Sequence, residues 1–500
     1  MPGRGVTILE GFLTSLAGVF QPVTFLMMIV GCVSGIVIGA IPGLSGSIGI
    51  ILLLPLVYKL DMVQALVVMA GIFCGSMYGG SIPAILIQTP GTPSAAATSL
   101  DGHPLAQKGK AGKAITVALI ASVTGGIFSG ICLMAISPVL AKWALKFQAP
   151  EYFALALFGL TLIASSSNDF LKGLISGFVG LLLSCVGVDV ITGSARFTFD
   201  SVMLIGGLNV LPLLVGLFAI AQAFADATNK SEPPRQEKSY GSFMLTRDEW
   251  KRILVPVLAS GAIGVGIGII PGSGGAIACF LAYEVVRKLS RYPEEFGQGS
   301  IEGIAAAECS NNATCGGAMI PLLTLGVPGD AVTAVMLGAF MLVGIKPGPT
   351  LFRDYGTQMN TFFMAFLVMQ FVILFLGILG TQVWIRVLGI PRTILMPAVM
   401  LFCFLGAFSL TNSTRDAFFA LAFGILGYFM KKAKYPAPPM ILGLVLGSLA
   451  EQNMNRTLMI YKNDWTVLFK RPISGVLMVV SIGIILWSFR EVLKKKKGDA

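Results

Sequence analysis

Four proline-glycine pairs set in apolar sequence carry the chemistry of this 500-residue chain. Pro42-Gly43 is followed by Ser45 and Ser47, and Pro90-Gly91 stands among Thr89, Thr92 and Ser94. The second half holds Pro271-Gly272, followed by Ser273, and Pro328-Gly329, followed by Asp330. Proline inside an apolar helix removes a backbone donor and restricts the residue before it. Glycine then frees φ and ψ, so the helix stops and can restart. A restarted helix offers unpaired N–H groups and the positive end of its dipole, which suits a carboxylate or phosphate. A single break is explained equally well as a kink, and a single hydroxyl as a helix cap. Four breaks in matching places favour a binding site. No arginine falls within the motifs, so the anion contacts are assigned to Gly43, Ser45, Ser47, Gly91, Thr92, Gly272, Ser273 and Gly329.

A second cluster reads EGIAAAECSNNAT over residues 302–314 and brings Glu302, Glu308, Ser310, Asn311, Asn312 and Thr314 together. Buried carboxylates beside an anion site repel the substrate unless each is protonated or paired with a cation, which points to ion coupling. Neutral amide and carbonyl oxygens suit Na+. Asn311, Asn312, Glu308 and Asp330 are therefore the expected ion-coupling residues, with Na+ at Asn311 and Asn312 as the one candidate ion and no other cofactor. The alternative for Glu302 and Glu308 is a solvated loop leading into a helix.

Enzymatic chemistry finds little footing. His103 is the only histidine, which excludes multi-histidine metal sites and the usual triads. The eight cysteines lie in apolar segments with no CxxC pair, as small core residues do. The Gly-rich basic stretch DGHPLAQKGKAGKA, residues 101–114, lacks the GxxxxGK[ST] spacing of a phosphate loop and reads as a cytoplasmic turn. The chain is expected not to be an enzyme.

The elements that must hold these residues follow from composition. Only 12% of residues are charged against 55% hydrophobic, with 60 glycines in addition. Apolar runs near the ~20 residues of a membrane span recur without alternation, which argues for an all-α polytopic membrane protein and against a β-barrel. About ten to twelve transmembrane helices are expected, with broken or re-entrant pieces. The +11 charge sits in short clusters such as Lys431, Lys432 and Lys434 and the run at 494–497. These mark cytoplasmic loops and a cytoplasmic C-terminus, not nucleic-acid binding. The long polar stretch from 226 to 252 reads as a linker.

Laying the halves over each other aligns GIVIGAIPGLSGSI (35–48) with GVGIGIIPGSGGAI (264–277) without gaps. GGSIPAILIQTPGTPSAA aligns with GGAMIPLLTLGVPGDAVTA when Gly79 is set on Gly317, Pro83 on Pro321 and Pro90 on Pro328. Two motifs in the same order imply a duplication, commonly inverted in transporters. The expected division is repeat 1 over 1–226, linker 227–252, repeat 2 over 253–490 and a basic tail over 491–500.

With these motifs, and EGIAAAECSNNATCGGAMIPLLTLGVPGDAVTAV and GIKPGPTLF beside them, the chain resembles the large membrane subunit of the tripartite tricarboxylate transporters, the TctA family. The resemblance runs over nearly the whole chain. It implies a secondary transporter of the bacterial inner membrane for tricarboxylates or related organic carboxylates, driven by a Na+ or H+ gradient. Its implied partners are a small membrane subunit and a periplasmic solute-binding protein. A membrane-embedded enzyme acting on a lipid-linked substrate and a passive anion channel are the competing readings of the residues themselves.

Overall fold

The computed structural model describes residues 8–165, 169–189, 193–228, 242–272, 274–387, 392–411 and 413–498. The chain opens with α1 (Ile8–Val19), α2 (Pro22–Ala40), α3 (Gly46–Val57), α4 (Met62–Ile87), α5 (Ala96–Leu105) and α6 (Ala111–Ala144). Next come α7 (Ala149–Ser165) and α8 (Phe170–Ser184), a small antiparallel hairpin of β1 (Gly187–Val188) and β2 (Ala195–Arg196), and the short α9 (Val202–Ile205), α10 (Val210–Leu214) and α11 (Ala221–Thr228). The second half supplies α12 (Arg247–Ile269), α13 (Gly274–Leu289), α14 (Ile301–Leu325), α15 (Ala331–Leu342), α16 (Pro349–Asp354) and α17 (Gly356–Val387). It closes with α18 (Arg392–Thr411), α19 (Thr414–Lys432), α20 (Ala437–Ile460), α21 (Val467–Lys470) and α22 (Pro472–Gly498).

Among the described residues, six stretches are long and apolar enough to cross a bilayer by length and composition, and six further apolar helices are shorter. α3 and α15, at 12 residues each, reach only about 18 Å, well short of the ~30 Å hydrocarbon layer. Exposed Leu254, Val255 and Leu258 on α12, Phe371, Phe375 and Ile378 on α17, and Val476, Val479 and Leu486 on α22 give these helices the apolar outer faces that lipid requires. The chain is a multi-pass α-helical membrane protein.

Two compact units divide the chain: Met1–Ala141, Asn229–Ile270 and Gly274–Pro397 form one, and Lys142–Thr228, Pro271–Ser273 and Ala398–Ala500 the other. Each draws on both sides of the polar stretch. Helix α11 runs on to Thr228 and α12 starts at Arg247, where Thr246 and Glu249 form a reciprocal capping box. The last residues of the polar stretch are thus helix, while 229–241 lie outside the described residues.

The first unit carries the duplication in its packing. Glycines let α2 press onto α4 and α12 onto α14 at the same register: Gly35 meets Ile72 as Gly264 meets Ser310, and Gly39 meets Ser76 as Gly268 meets Thr314. Both α2 and α12 end on an extended isoleucine, Ile41 and Ile270, directly before their Pro-Gly pair. Both α4 and α14 contain a proline, Pro83 and Pro321, and end on a left-handed residue, Gln88 and Gly326. The same hydrogen bond closes each end, from the Thr89 N–H to Pro83 O and from the Val327 N–H to Pro321 O, both 3.3 Å.

The short helices are exchanged between the repeats. At the start of α3, Gly46 lies against Ser76 of its own repeat and Val332 of the other. At the start of α13, Gly275 lies against Thr314 of its own repeat and Ser94 of the other. Since Ser76 corresponds to Thr314 and Ser94 to Val332, the two contacts are the two halves of one pseudo-twofold interface.

The second unit is braced by ion pairs. Buried Glu151 on α7 accepts from Arg471 Nε at 2.6 Å and from the Gln148 N–H at 2.9 Å, and Arg471 also donates to Tyr461 Oη at 2.9 Å. Arg196 on β2 pairs with Glu451 on α20. Buried Asp416 accepts from Asn209 Nδ2 at 2.9 Å and from Arg415 Nε at 3.2 Å.

The sequence reading of 101–114 as a turn is corrected. Helix continues through Leu105 into a π-helical turn at Ala106–Lys110 and on into α6, with only Gly109 leaving helical backbone space, at φ 73°. The reason is Asp101, which is buried and accepts the Gly299 and Ser300 N–H groups at 2.8 and 2.9 Å, fixing α5 to the start of α14.

Candidate substrate and ion site

Helices α4 and α14 cross in the first unit, where Asn311 Nδ2 donates to Met77 O at 3.3 Å. One residue before Met77, Ser76 touches the start of α3; three residues beyond Asn311, Thr314 touches the start of α13. Ser94, in the 3-10 turn before α5, touches the start of α13, and Val332, at the start of α15, touches the start of α3. Helix N-termini from both repeats therefore gather at this crossing, each offering N–H groups and a partial positive charge.

They are not equally open. Gly43 is exposed at φ 94°, and Ser45, half-buried at the N-cap of α3, makes no side-chain cap bond. Ser47 is buried, with its hydroxyl 3.4 Å from Ala331 O. Gly91 is buried and its N–H is committed to Gly80 O at 3.1 Å, while the Thr92 hydroxyl meets that of Ser94 at 3.2 Å. Gly329 is buried beside Ala318 and Gly268 O, where a Cβ would come within 2.6 Å of the Ala318 Cβ. Gly272, at φ 79°, belongs to the second unit, where it lies against Ile163. Ser273 lies outside the described residues.

Asp330 closes one of these termini itself. Its carboxylate accepts the Thr333 N–H at 2.8 Å and the Thr333 hydroxyl at 2.6 Å, a capping box on α15. A carboxylate already occupies the positive end of that helix. In repeat 1 the matching residue is Thr92, which leaves the start of the 3-10 turn before α5 uncharged. The D-x-x-T spacing in the sequence carried this signal.

Residues 302–314 lie wholly within α14 and are buried, not in a loop. Glu302 is bound by Arg252 Nε at 3.0 Å and Ser290 Oγ at 2.5 Å, a structural anchor at the head of the helix. Glu308 is fully buried; Thr98 Oγ1 donates to one carboxylate oxygen and Ser122 Oγ to the other, the latter at 2.9 Å. No Lys, Arg or His pairs with it among the described residues. Asn311 Oδ1, Asn312 Nδ2, Ser310 Oγ and Tyr78 Oη are buried without a hydrogen-bond partner among the described residues. Native interiors leave few such groups. No group of three or more His, Cys, Asp or Glu occurs among the described residues.

Thr98, Ser122 and Met77 escaped the sequence reading, since isolated hydroxyls and a backbone carbonyl in apolar helices look like ordinary helix interior. Arg386 is exposed on α17, and the side chain of Arg392 lies outside what is described.

A duplicated set of broken helices around a buried polar crossing defines a membrane transporter of the broken-helix class. The chain belongs to the tripartite tricarboxylate transporter TctA family, which it matches over residues 25–442. It is similar to an uncharacterized 52.8 kDa protein in the TAR-I ttuC' 3'region of Agrobacterium vitis, with 35% identity over 488 residues, 97% of this chain and 96% of that one. An uncharacterized protein in the TAR-II ttuC' 3'region of the same organism is 35% identical over 237 residues, 46% of this chain and 96% of that one. No solved structure matches the chain. The family is one of transporters, and the chain is a membrane subunit of that family.

Proposed function

We propose that this chain is the large transmembrane subunit of a binding-protein-dependent secondary transporter that takes up tricarboxylates or related organic carboxylates. Uptake is driven by a Na+ or H+ gradient across the bacterial inner membrane, with the C-terminus cytoplasmic and the two repeats inverted. A periplasmic solute-binding protein delivers the substrate, and a small membrane subunit completes the complex. The observation that carries this reading is the meeting of broken-helix N-termini from both repeats at the α4–α14 crossing. Oriented N–H groups hold carboxylates without the desolvation cost of a buried guanidinium.

Substrate contacts are assigned first to Gly43, Ser45 and Ser47, where the backbone is open or the hydroxyl is not spent on capping. Gly91, Thr92, Gly272, Ser273 and Gly329 complete the set. Cation coupling is assigned to Glu308, Asn311 and Asn312, with Asp330 as a charged contributor. The test is uptake of labelled tri- and dicarboxylates into proteoliposomes containing both membrane subunits and the binding protein. Accumulation should require the binding protein and an imposed Na+ or H+ gradient. Equilibration down the substrate gradient alone, with no accumulation under either ion gradient, would make the chain a channel.

A further inference from the structure

We infer that Glu308, Thr98 and Ser122 form one monovalent-cation site per chain, assembled between the repeats and without a counterpart at the symmetry-related position. The inference rests on the cation-coupled reading above and adds the ligand set, the charge of the ion and the number of sites.

A fully buried carboxylate among apolar helices needs its charge compensated. Glu302 has Arg252 and Glu151 has Arg471, while Asp101 and Asp330 take backbone N–H groups at helix starts. Glu308 has instead a hydroxyl on each oxygen, Thr98 from α5 and Ser122 from α6. Hydroxyls donate to a carboxylate and can also turn a lone pair toward a bound cation, so they leave the compensating charge to a mobile ion. Asn311 is one turn further along α14; its amide donates to Met77 O and hydrogen-bonds the Glu308 carboxylate, and its Oδ1 is buried without a partner among the described residues. One carboxylate with neutral oxygens balances one positive charge, whereas divalent sites gather several carboxylates.

The duplication supplies the control within the molecule. The register that pairs Gly79 with Gly317 sets Glu308 on Ala70, Asn311 on Phe73, Asn312 on Cys74 and Thr98 on Met336. The packing of α2 on α4 and of α12 on α14 obeys this register. Glu308, Asn311, Asn312 and Thr98 thus each meet an apolar residue in the other repeat, and the symmetry that doubles the broken helices does not double the carboxylate of the cation site. The carboxylate belongs to repeat 2 and its hydroxyls to repeat 1, so any movement between α14 and the pair α5 and α6 changes the site.

The experiment uses the reconstituted three-component system, with initial uptake rates measured against external Na+ at fixed pH and against pH at fixed Na+. Whichever ion drives uptake should act with a Hill coefficient near one. Glu308→Gln should lose gradient-driven accumulation and keep substrate counterflow. Thr98→Val and Ser122→Ala should raise the half-saturating ion concentration about tenfold, with substrate KM unchanged and Thr98→Ser restoring the wild-type value. Glu308→Asp serves where Glu308→Gln does not insert, and should shift ion affinity while leaving counterflow intact. A Hill coefficient of two, accumulation unaltered in Glu308→Gln, or equal losses of KM and ion affinity in Thr98→Val would overturn the inference. Absence of ion-driven uptake in the wild type would overturn the broader reading instead.

Discussion

The second break packs tightly at Gly91. A Cβ built there falls 1.9 Å from Gly39 O and 2.8 Å from Gly80 Cα, both backbone atoms with no side chain to swing aside. Gly91→Ala leaves the N–H in place but forces the second break and α2 apart by more than 1 Å, given that ordinary contacts begin near 3.4 Å. Overpacking of this kind costs about 1–3 kcal/mol, and the rigid neighbours put Gly91 at the upper end. For a unit of this size the midpoint of thermal unfolding should drop by about 5 °C or more. Gly266→Ala is the control: nothing lies within 4 Å of its Cβ on α12, so the gain in helix propensity should leave the midpoint unchanged or raise it. The assay is thermal unfolding of the detergent-purified protein followed by fluorescence or by size-exclusion loss. Equal midpoints for wild type and Gly91→Ala would refute the close approach of α2 to the second break.

Gly43→Val places a β-branched residue at positive φ on exposed backbone and blocks approach to it, so uptake should be abolished while membrane insertion by protease mapping stays normal. Arg471→Ala strands the buried Glu151 carboxylate and should destabilise the protein by about 3 kcal/mol, read as a fall in the unfolding midpoint that Glu151→Gln in the same background largely reverses. Asp330→Ala removes the cap of α15 and should cost about 1 kcal/mol, with Asp330→Asn close to wild type in stability. A C-terminal reporter should be active only as a cytoplasmic fusion, and periplasmic activity would reverse the assigned orientation.

The features legible in the sequence were those that act locally or repeat. The Pro-Gly breaks appear where they were expected because Pro42 and Gly43 impose their backbone whatever packs around them. The duplication was legible because glycines at 35, 39, 264 and 268 keep the spacing of one helix-packing interface. Glu302 and Glu308 could not be told apart in the linear sequence, since both are acids near one end of an apolar run. What separates them is Arg252 for one and a hydroxyl pair for the other, and Thr98 and Ser122 lie 210 and 186 positions away. The bond from the Gly91 N–H to Gly80 O, eleven residues back, was likewise not legible in the linear sequence. The division into two units was not visible either, because it follows contacts between distant segments and not composition.

The exchange of α3 and α13 also sets a timetable for biogenesis. The start of α3 rests on Val332, 286 residues downstream, a stretch that takes roughly 15–60 s to synthesise at about 5–20 residues per second. Throughout that interval the interrupted helices of the first half have entered the membrane without the neighbours that cover their broken ends. Exposed backbone at such ends is costly in hydrocarbon. The nascent first half must therefore be sheltered, by the insertion machinery or near the headgroups, until the second half arrives. Variants that weaken α15 should be recognised as failures of assembly late in synthesis, after every earlier span is already in place.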